Sequence, residues 1–173
     1  MSYVPSHAES ITLAKPDSLV FVPSTAGTNN AATVSNLIPL GSPSTKFGSW
    51  SPTIANDVIS LPSGYFYYIE TSHQIAHPSH FNYGYYLEWT IYDETNSQAI
   101  GVPALMYSTV GSDKNNVTRD DAAHALIDCS SSAIDISVKI TANNGIQFVI
   151  YFPFSGHGAY FGLGRAIIWR LDP

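Results

Sequence analysis

Two segments of the chain alternate apolar and polar residues with a period of two, which is typical of a β-strand with one buried face. In residues 134–140, Ile or Val occupies every even position and a polar residue every odd one. Residues 85–92 place Leu87, Trp89 and Ile91 on one face in the same way. Because no segment shows a convincing helical period over three turns, the sequence predicts an all-β protein.

Nine short segments are expected to form strands, since each is rich in apolar, β-branched or aromatic residues and is bounded by Gly, Pro, Asn, Asp or Ser. They are residues 47–51, 58–61, 64–71, 85–92, 99–108, 122–127, 133–141, 146–152 and 165–171. The turn residues Asn143, Asn144 and Gly145 predict a hairpin that joins the seventh segment to the eighth. Many short strands at this spacing indicate a sandwich or a barrel.

The first 45 residues are expected to form an extended arm, which leaves residues 46–173 as the β-domain. No charged residue occurs between Ser18 and Thr45, although 19–22 and 34–40 resemble strands. Proline interrupts the segment at positions 5, 16, 23, 39 and 43, which disfavours a central strand. We therefore expect the arm to add strands to a neighbouring molecule or to the edge of its own domain.

Charge and composition argue against several classes of function. The formal net charge is -6, and the few Lys and Arg residues are scattered, whereas nucleic-acid binding needs them clustered. No apolar run approaches the ~20 residues of a membrane-spanning helix. Residues 1–20 lack the basic start and apolar stretch of a secretory signal. We expect synthesis in the cytoplasm, with neither nucleic acid nor membrane as a partner.

Three histidines, His73, His77 and His80, are the candidate metal ligands. The first two have the spacing that places ligands on one helical face, but Pro78 interrupts such a helix. No carboxylate or cysteine joins them in sequence. The segment is therefore interpreted as a polar loop, and no metal is expected.

Catalytic and cofactor motifs give no support for an enzyme. Glu70 and Glu88 lie on neighbouring predicted strands among aromatic residues, as in a glycosidase cleft, but Glu88 is simply the polar member of a regular alternation. No Gly-x-Ser-x-Gly elbow is present. The glycines between positions 156 and 164 lack the Lys-Ser/Thr of a phosphate-binding loop, so no cofactor is expected.

Aromatic residues are concentrated on the predicted strands 64–71 and 85–92, where they occupy both faces. One face can be core, and the other needs a partner, because a large exposed aromatic area usually marks a protein interface or a sugar-stacking surface. The residues expected on this oligomer or ligand face are Tyr65, Tyr67, Tyr86, Trp89 and Tyr92.

The run VISLPSGYFYYI at residues 58–69, the aromatic strand and apolar hairpin after it, and the closing strand AIIWRL at 166–171 resemble the tumour-necrosis-factor-like jelly rolls. The resemblance covers about residues 46–173. It implies a two-sheet antiparallel jelly-roll sandwich, a fold that viruses use for fibre tips, spikes and capsid decoration. A compact head behind a short arm is similar to a phage capsid decoration (cement) protein.

This resemblance implies a virion structural protein on the exterior of the capsid. The arm is then expected to bind the major capsid protein by strand addition, with its apolar side chains filling pockets. Those side chains are Leu19, Phe21, Val34, Leu37 and Ile38. The heads are expected to form a homodimer or homotrimer through their aromatic faces, and removal of residues 1–45 should leave a folded head.

Two alternatives remain open. A receptor-binding or carbohydrate-binding head of a phage fibre or spike would stack a host glycan on Trp50, Trp89 or Tyr86. A jelly-roll enzyme would depend on Glu70 and Glu88.

Overall fold

The computed structural model of the protein describes residues 16–23, 37–73, 75–76, 85–108, 122–143, 149–150 and 164–172. These residues form strands, turns and extended segments, which confirms the all-β prediction for them. The strands are β1 (Pro16–Pro23), β2 (Ser44–Phe47), β3 (Thr53–Ala55), β4 (Val58–Leu61), β5 (Phe66–Ser72), β6 (Ile75–Ala76), β7 (Tyr85–Asp93), β8 (Gln98–Ser108), β9 (Ala123–Asp128), β10 (Ile134–Asn143), β11 (Val149–Ile150) and β12 (Arg165–Leu171). Within these ranges there is no helix with the length and apolar character needed to cross a membrane.

Ten of the strands form one antiparallel sheet that curls into a half-barrel. The strand order is β2-β1-β12-β5-β9-β8-β7-β10-β4-β3. We divide it into half-sheet 1, from β2 to β9, and half-sheet 2, from β8 to β3, because one residue pair, Val102 with His124, links β8 to β9. The short strands β6 and β11 pair with each other.

The concave side of the curled sheet holds the hydrophobic core, and both half-sheets contribute to it. Buried residues alternate with partly exposed ones along β1 and β5, as expected for strands with one face on the core. The larger cluster combines Val20, Val22, Tyr67, Ile69, Ala125, Ile127, Ala166 and Ile168 of half-sheet 1 with Ile59, Leu61, Ile91 and Ile136 of half-sheet 2. A second cluster contains Ile38, Leu87, Trp89, Ala104, Ala123, Val138 and Ile140. Apolar packing therefore holds the two halves together.

Most of the predicted strands are confirmed. The segments 58–61 and 165–171 match β4 and β12 residue for residue, and the ends of β5, β7, β8, β9 and β10 differ from prediction by one or two residues. The strand predicted at 47–51 is wrong, since β2 ends at Phe47 and β3 begins at Thr53. Gly48 has a φ of 78°, which takes the backbone out of the extended region directly after β2.

The predicted hairpin between 134–141 and 146–152 is also wrong within the described residues. One side of β10 is paired with β7, and the other with β4 and with Leu37. The described part of the eighth segment, β11, pairs with β6 instead. The alternation in 134–140 correctly identified the buried face, but alternation carries no information about which strand lies alongside.

Residues 16–23 of the expected arm add to the sheet of their own domain. As β1, they lie between β2 and β12, and the pairing with β12 extends from Pro16 to Pro23. The later segment 37–41 crosses between the half-sheets, because Gly41 donates a hydrogen bond to the Pro23 carbonyl and Ile38 donates one to the Val138 carbonyl. Both parts of the expected arm are thus built into the sheet and its core.

The link between the half-sheets requires a glycine at position 101. Gly101 has a φ of 75°, and a Cβ atom there would collide with the His124 carbonyl and lie 2.6 Å from the Cβ of Ala125. Gly64 has a similar backbone, with a φ of 94°, but a Cβ there would meet nothing within 4 Å. An alanine at position 64 would therefore introduce backbone strain alone, whereas an alanine at position 101 would introduce backbone strain and a steric clash.

We expect Gly101→Ala to lower the free energy of unfolding by at least about 3 kcal/mol, because overpacking adds to the backbone strain. Gly64→Ala carries the strain alone and should cost about 1–2 kcal/mol. Urea denaturation of the two variants measures the difference. Equal losses would show that β8 and β9 do not approach closely at Gly101 in solution.

Candidate interaction face

Half-sheet 1 carries a continuous row of apolar side chains on its convex side. These positions alternate with the buried ones on β1, β5 and β9, so their side chains point away from the core. The register sets five residues in line across five strands: Phe47, Leu19, Trp169, Tyr68 and Leu126. We call this row, together with Phe21 and Ile167 of the next row, the outer face of half-sheet 1.

The two ends of the row are its most exposed positions. Leu126 is 69% exposed and Phe47 is 56% exposed. In the middle, the rings of Tyr68 and Trp169 are 5.2 Å apart and tilted by 51°, and both side chains are half-buried. Single exposed apolar residues are common on proteins, but a contiguous row of this length usually marks an interface. The outer face is therefore the candidate functional surface.

The second row of the face has a carboxylate near one end and two cations beside the other. The register aligns Phe21, Ile167, Glu70 and His124 across four strands. The Lys46 ammonium and the Arg165 guanidinium lie 5.7 and 5.8 Å from the centre of the Phe21 ring. Positive charge thus flanks the row at its β1 end, while the Glu70 carboxylate stands two strands away on β5.

Where β7 and β10 lie side by side, the polar groups on the outer side of half-sheet 2 find partners within the chain. The Ser137 hydroxyl donates a 2.5 Å hydrogen bond to Glu94, and the Lys139 ammonium lies 2.9 Å from the same carboxylate. Lys139 also lies 3.5 Å from the centre of the Tyr92 ring. Burial alone would raise the pKa of Glu94, but the hydrogen bonds from Ser137 and Lys139 outweigh it and hold the pKa below its ordinary value. This patch is suited to water. Three other residues of half-sheet 2, Tyr86, Val102 and Leu105, are apolar and exposed, but the register pairs Leu105 with Glu88 and not with another apolar residue.

The structure corrects the aromatic face that the sequence predicted. Tyr67 and Trp89 have no exposed area, since both point into the core. Tyr65 is half-buried with the Arg170 guanidinium 4.3 Å from its ring centre, and Tyr92 is half-buried beneath Lys139. Only Tyr86 is exposed, at 37%. The five residues do not share a surface, because odd and even positions of a strand point to opposite sides.

The apolar residues assigned to the capsid-binding arm are divided between core and surface. Ile38 is fully buried in the smaller core cluster. Leu37 is half-buried and forms an isolated bridge with Lys139. Leu19 and Phe21 lie on the outer face of half-sheet 1, while Val34 lies outside the described residues.

Of the three candidate metal ligands, His73 is the one within the described residues. His73 is fully buried after β5, with its ring 5.8 Å from that of Trp89. His77 and His80 lie outside the described residues. Within the described ranges, no three His, Cys, Asp or Glu side chains are grouped so that they could hold a metal ion.

Glu70 and Glu88 do not face each other across a cleft. Glu70 is on β5 and Glu88 on β7, with β9 and β8 between them, so the expectation of neighbouring strands is wrong. The Glu88 carboxylate accepts a 2.6 Å hydrogen bond from Thr141. The two groups lack the shared site that a pair of catalytic carboxylates requires.

Sequence reasoning missed Phe47, Tyr68, Leu126 and Trp169 as parts of an interaction surface. A signal was present in β9, where Leu126 stands between the buried Ala125 and Ile127. An apolar residue at the outward position of such a strand indicates that both faces are covered. The same signal occurs in β12, where Trp169 follows the buried Ile168.

No protein-family model matches the chain, and no curated protein matches it.

Proposed function

We propose that the protein is a non-catalytic virion structural protein that decorates the outside of a capsid. The observation that carries this proposal is the apolar outer face of half-sheet 1 on a chain with only 12% charged residues. A contiguous exposed apolar surface of this kind usually marks a site that another protein covers. A protein that works within a repeating shell has neighbours to supply that cover.

The path of the chain supports a jelly-roll sandwich, the fold implied by the resemblance. From β4 onward the chain alternates between halves: β4 in half-sheet 2, β5 in half-sheet 1, β7 and β8 in half-sheet 2, β9 in half-sheet 1, β10 in half-sheet 2 and β12 in half-sheet 1. Repeated crossing between two antiparallel sheets is the pattern of a double Greek key. The core enclosed by both halves is consistent with two packed layers.

An exposed strand edge supports docking by strand addition to the major capsid protein. β2 is the outermost strand of half-sheet 1, and all four of its residues are exposed. An unpaired edge offers main-chain donors and acceptors to an incoming strand. In this proposal residues 1–45 contribute the first half of this docking edge, Ser44 and Thr45.

Immunogold labelling of purified particles of the encoding virus tests this function. We expect regular labelling over the whole capsid shell, in register with its subunits. Labelling confined to the tips of fibres or spikes would replace decoration with the receptor-binding or glycan-binding alternative, for which the exposed Tyr86 on the polar side of half-sheet 2 is the candidate stacking residue. Particles without any label would overturn a role in the virion.

A further inference from the structure

We propose that a second copy of this chain covers the outer face of half-sheet 1, in a dimer whose two-fold axis runs along β12. The inference rests on the proposed function in requiring protein cover for this face, and it names the covering molecule. Three features of the face support it: its size, its order across the strands, and the separation of its charges.

The face is large enough for a specific dimer. Five strands spaced by about 4.8 Å, each contributing about six residues of about 3.4 Å, span roughly 24 by 20 Å. Treated as flat surfaces, two such faces in contact bury about 1,000 Å² in total. This area reaches the lower limit for a specific interface.

A two-fold axis parallel to β12 sets unlike strands against each other. Because β12 is the central strand of half-sheet 1, the rotation places β1 over the second copy's β5 and β2 over its β9. Trp169, on the axis, then meets the same residue of the second copy. Leu19 is set against Tyr68, and Phe47 against Leu126, so the exposed ends of the apolar row cover one another.

The same rotation brings opposite charges together. Phe21 and Glu70 are in one row on strands that exchange positions, so the second copy's Glu70 lies over Phe21. That ring is flanked by the Lys46 and Arg165 cations of the first copy. Within the described part of the chain, Glu70 has no hydrogen-bond or ion-pair partner of its own. Two equivalent charge contacts result, one on each side of the axis.

An axis perpendicular to the strands is disfavoured by the same groups. It would set each strand against its own copy, which keeps Glu70 on β5 away from Lys46 on β2 of the second copy. The Lys46–Glu70 attraction is then lost, whereas the axis along β12 keeps it and sets only Arg165, on the axis strand, opposite its own copy. The separation of sign across half-sheet 1 thus favours the axis along β12.

Sedimentation equilibrium of the purified chain tests the proposal. We expect a dimer of the 18.7 kDa chain at micromolar concentration. Leu126→Asp should raise the dissociation constant about a hundredfold, because each interface would then bury two unpaired carboxylates. Leu105→Asp is the matched control, since Leu105 is also exposed but lies opposite Glu88 in half-sheet 2. Phe47→Asp provides the same test should Leu126→Asp fail to fold.

Charge reversal tests the axis itself. Glu70→Lys should weaken the dimer about tenfold, and adding Lys46→Glu to the same chain should restore most of that loss. A monomer, a trimer, equal effects of Leu126→Asp and Leu105→Asp, or no restoration would each overturn the proposal. The outcome is independent of the immunogold result, so failure of the dimer and failure of the virion role are distinguished.

Discussion

A chain that lacks residues 1–45 is expected not to fold, because the deletion removes four core residues: Val20, Val22, Ile38 and Leu40. Burial of each contributes about 1.5–3 kcal/mol, so together they account for roughly 6–12 kcal/mol. That sum is comparable to the whole stability of a typical domain, about 5–15 kcal/mol. This prediction differs from the expectation from sequence, in which a folded head would remain.

The truncation also removes polar contacts, which lowers the stability further. Without β1, the edge of β12 loses its antiparallel partner from Arg165 to Leu171. The half-buried Arg170 guanidinium also loses the Asp17 carboxylate with which it forms an ion pair. A partly buried charge without its partner adds to the cost of the truncation.

Far-ultraviolet circular dichroism during urea titration measures the effect. The truncated chain should show no cooperative transition. A chain that lacks only residues 1–15 is the control, since this deletion removes none of the described strands, and it should unfold cooperatively. If both chains unfolded at the same urea concentration, β1 would not belong to the sheet in solution, and residues 1–45 would be a separable arm.

Acid is expected to destabilise the protein through His73. This side chain is fully buried, and desolvation lowers its pKa from 6.5 to about 3. Between these two pH values the unfolded chain binds a proton on His73 that the folded chain does not. The free energy of unfolding therefore falls as the pH falls through this window, by up to about 1.4 kcal/mol per pH unit. Above pH 6.5 the contribution of His73 to stability is fully present.

Urea denaturation at a series of pH values between 7 and 3 isolates this effect when wild type is compared with His73→Gln. The variant lacks the titrating group. The slope of its free energy of unfolding against pH should therefore be smaller by the amount that corresponds to about one bound proton, whatever its stability at pH 7. Parallel curves for wild type and His73→Gln would mean that water or charge reaches His73 in the folded protein.

The strands and their buried faces could be predicted from sequence because both depend on local patterns. Leu87, Trp89 and Ile91 on β7 alternate with polar residues, and all three are buried as expected. Strand partners could not be predicted in the same way. The turn-like residues 143–145 favour a local hairpin, yet β10 has β7, β4 and Leu37 beside it, which come from much earlier in the chain.

The candidate interaction face was predicted only in its general character. An aromatic surface that needs a partner was expected, but the residues chosen included Tyr67 and Trp89, which are buried. Its actual members come from five strands spread between Leu19 and Trp169, and they become neighbours only through the strand order. Since the strand order is set by tertiary packing, no short segment of the sequence contains all the residues of the row.

The position of β12 between β1 and β5 has a consequence for synthesis of the protein. β1 and β12 are about 140 residues apart in the chain, which is roughly 7–28 s of translation at 5–20 residues per second. During that interval β1 has no strand to pair with on its β12 side, and its apolar side chains stay accessible. We therefore expect half-sheet 1 to be completed only after β12 has left the ribosome, with the apolar side chains of β1 accessible until then.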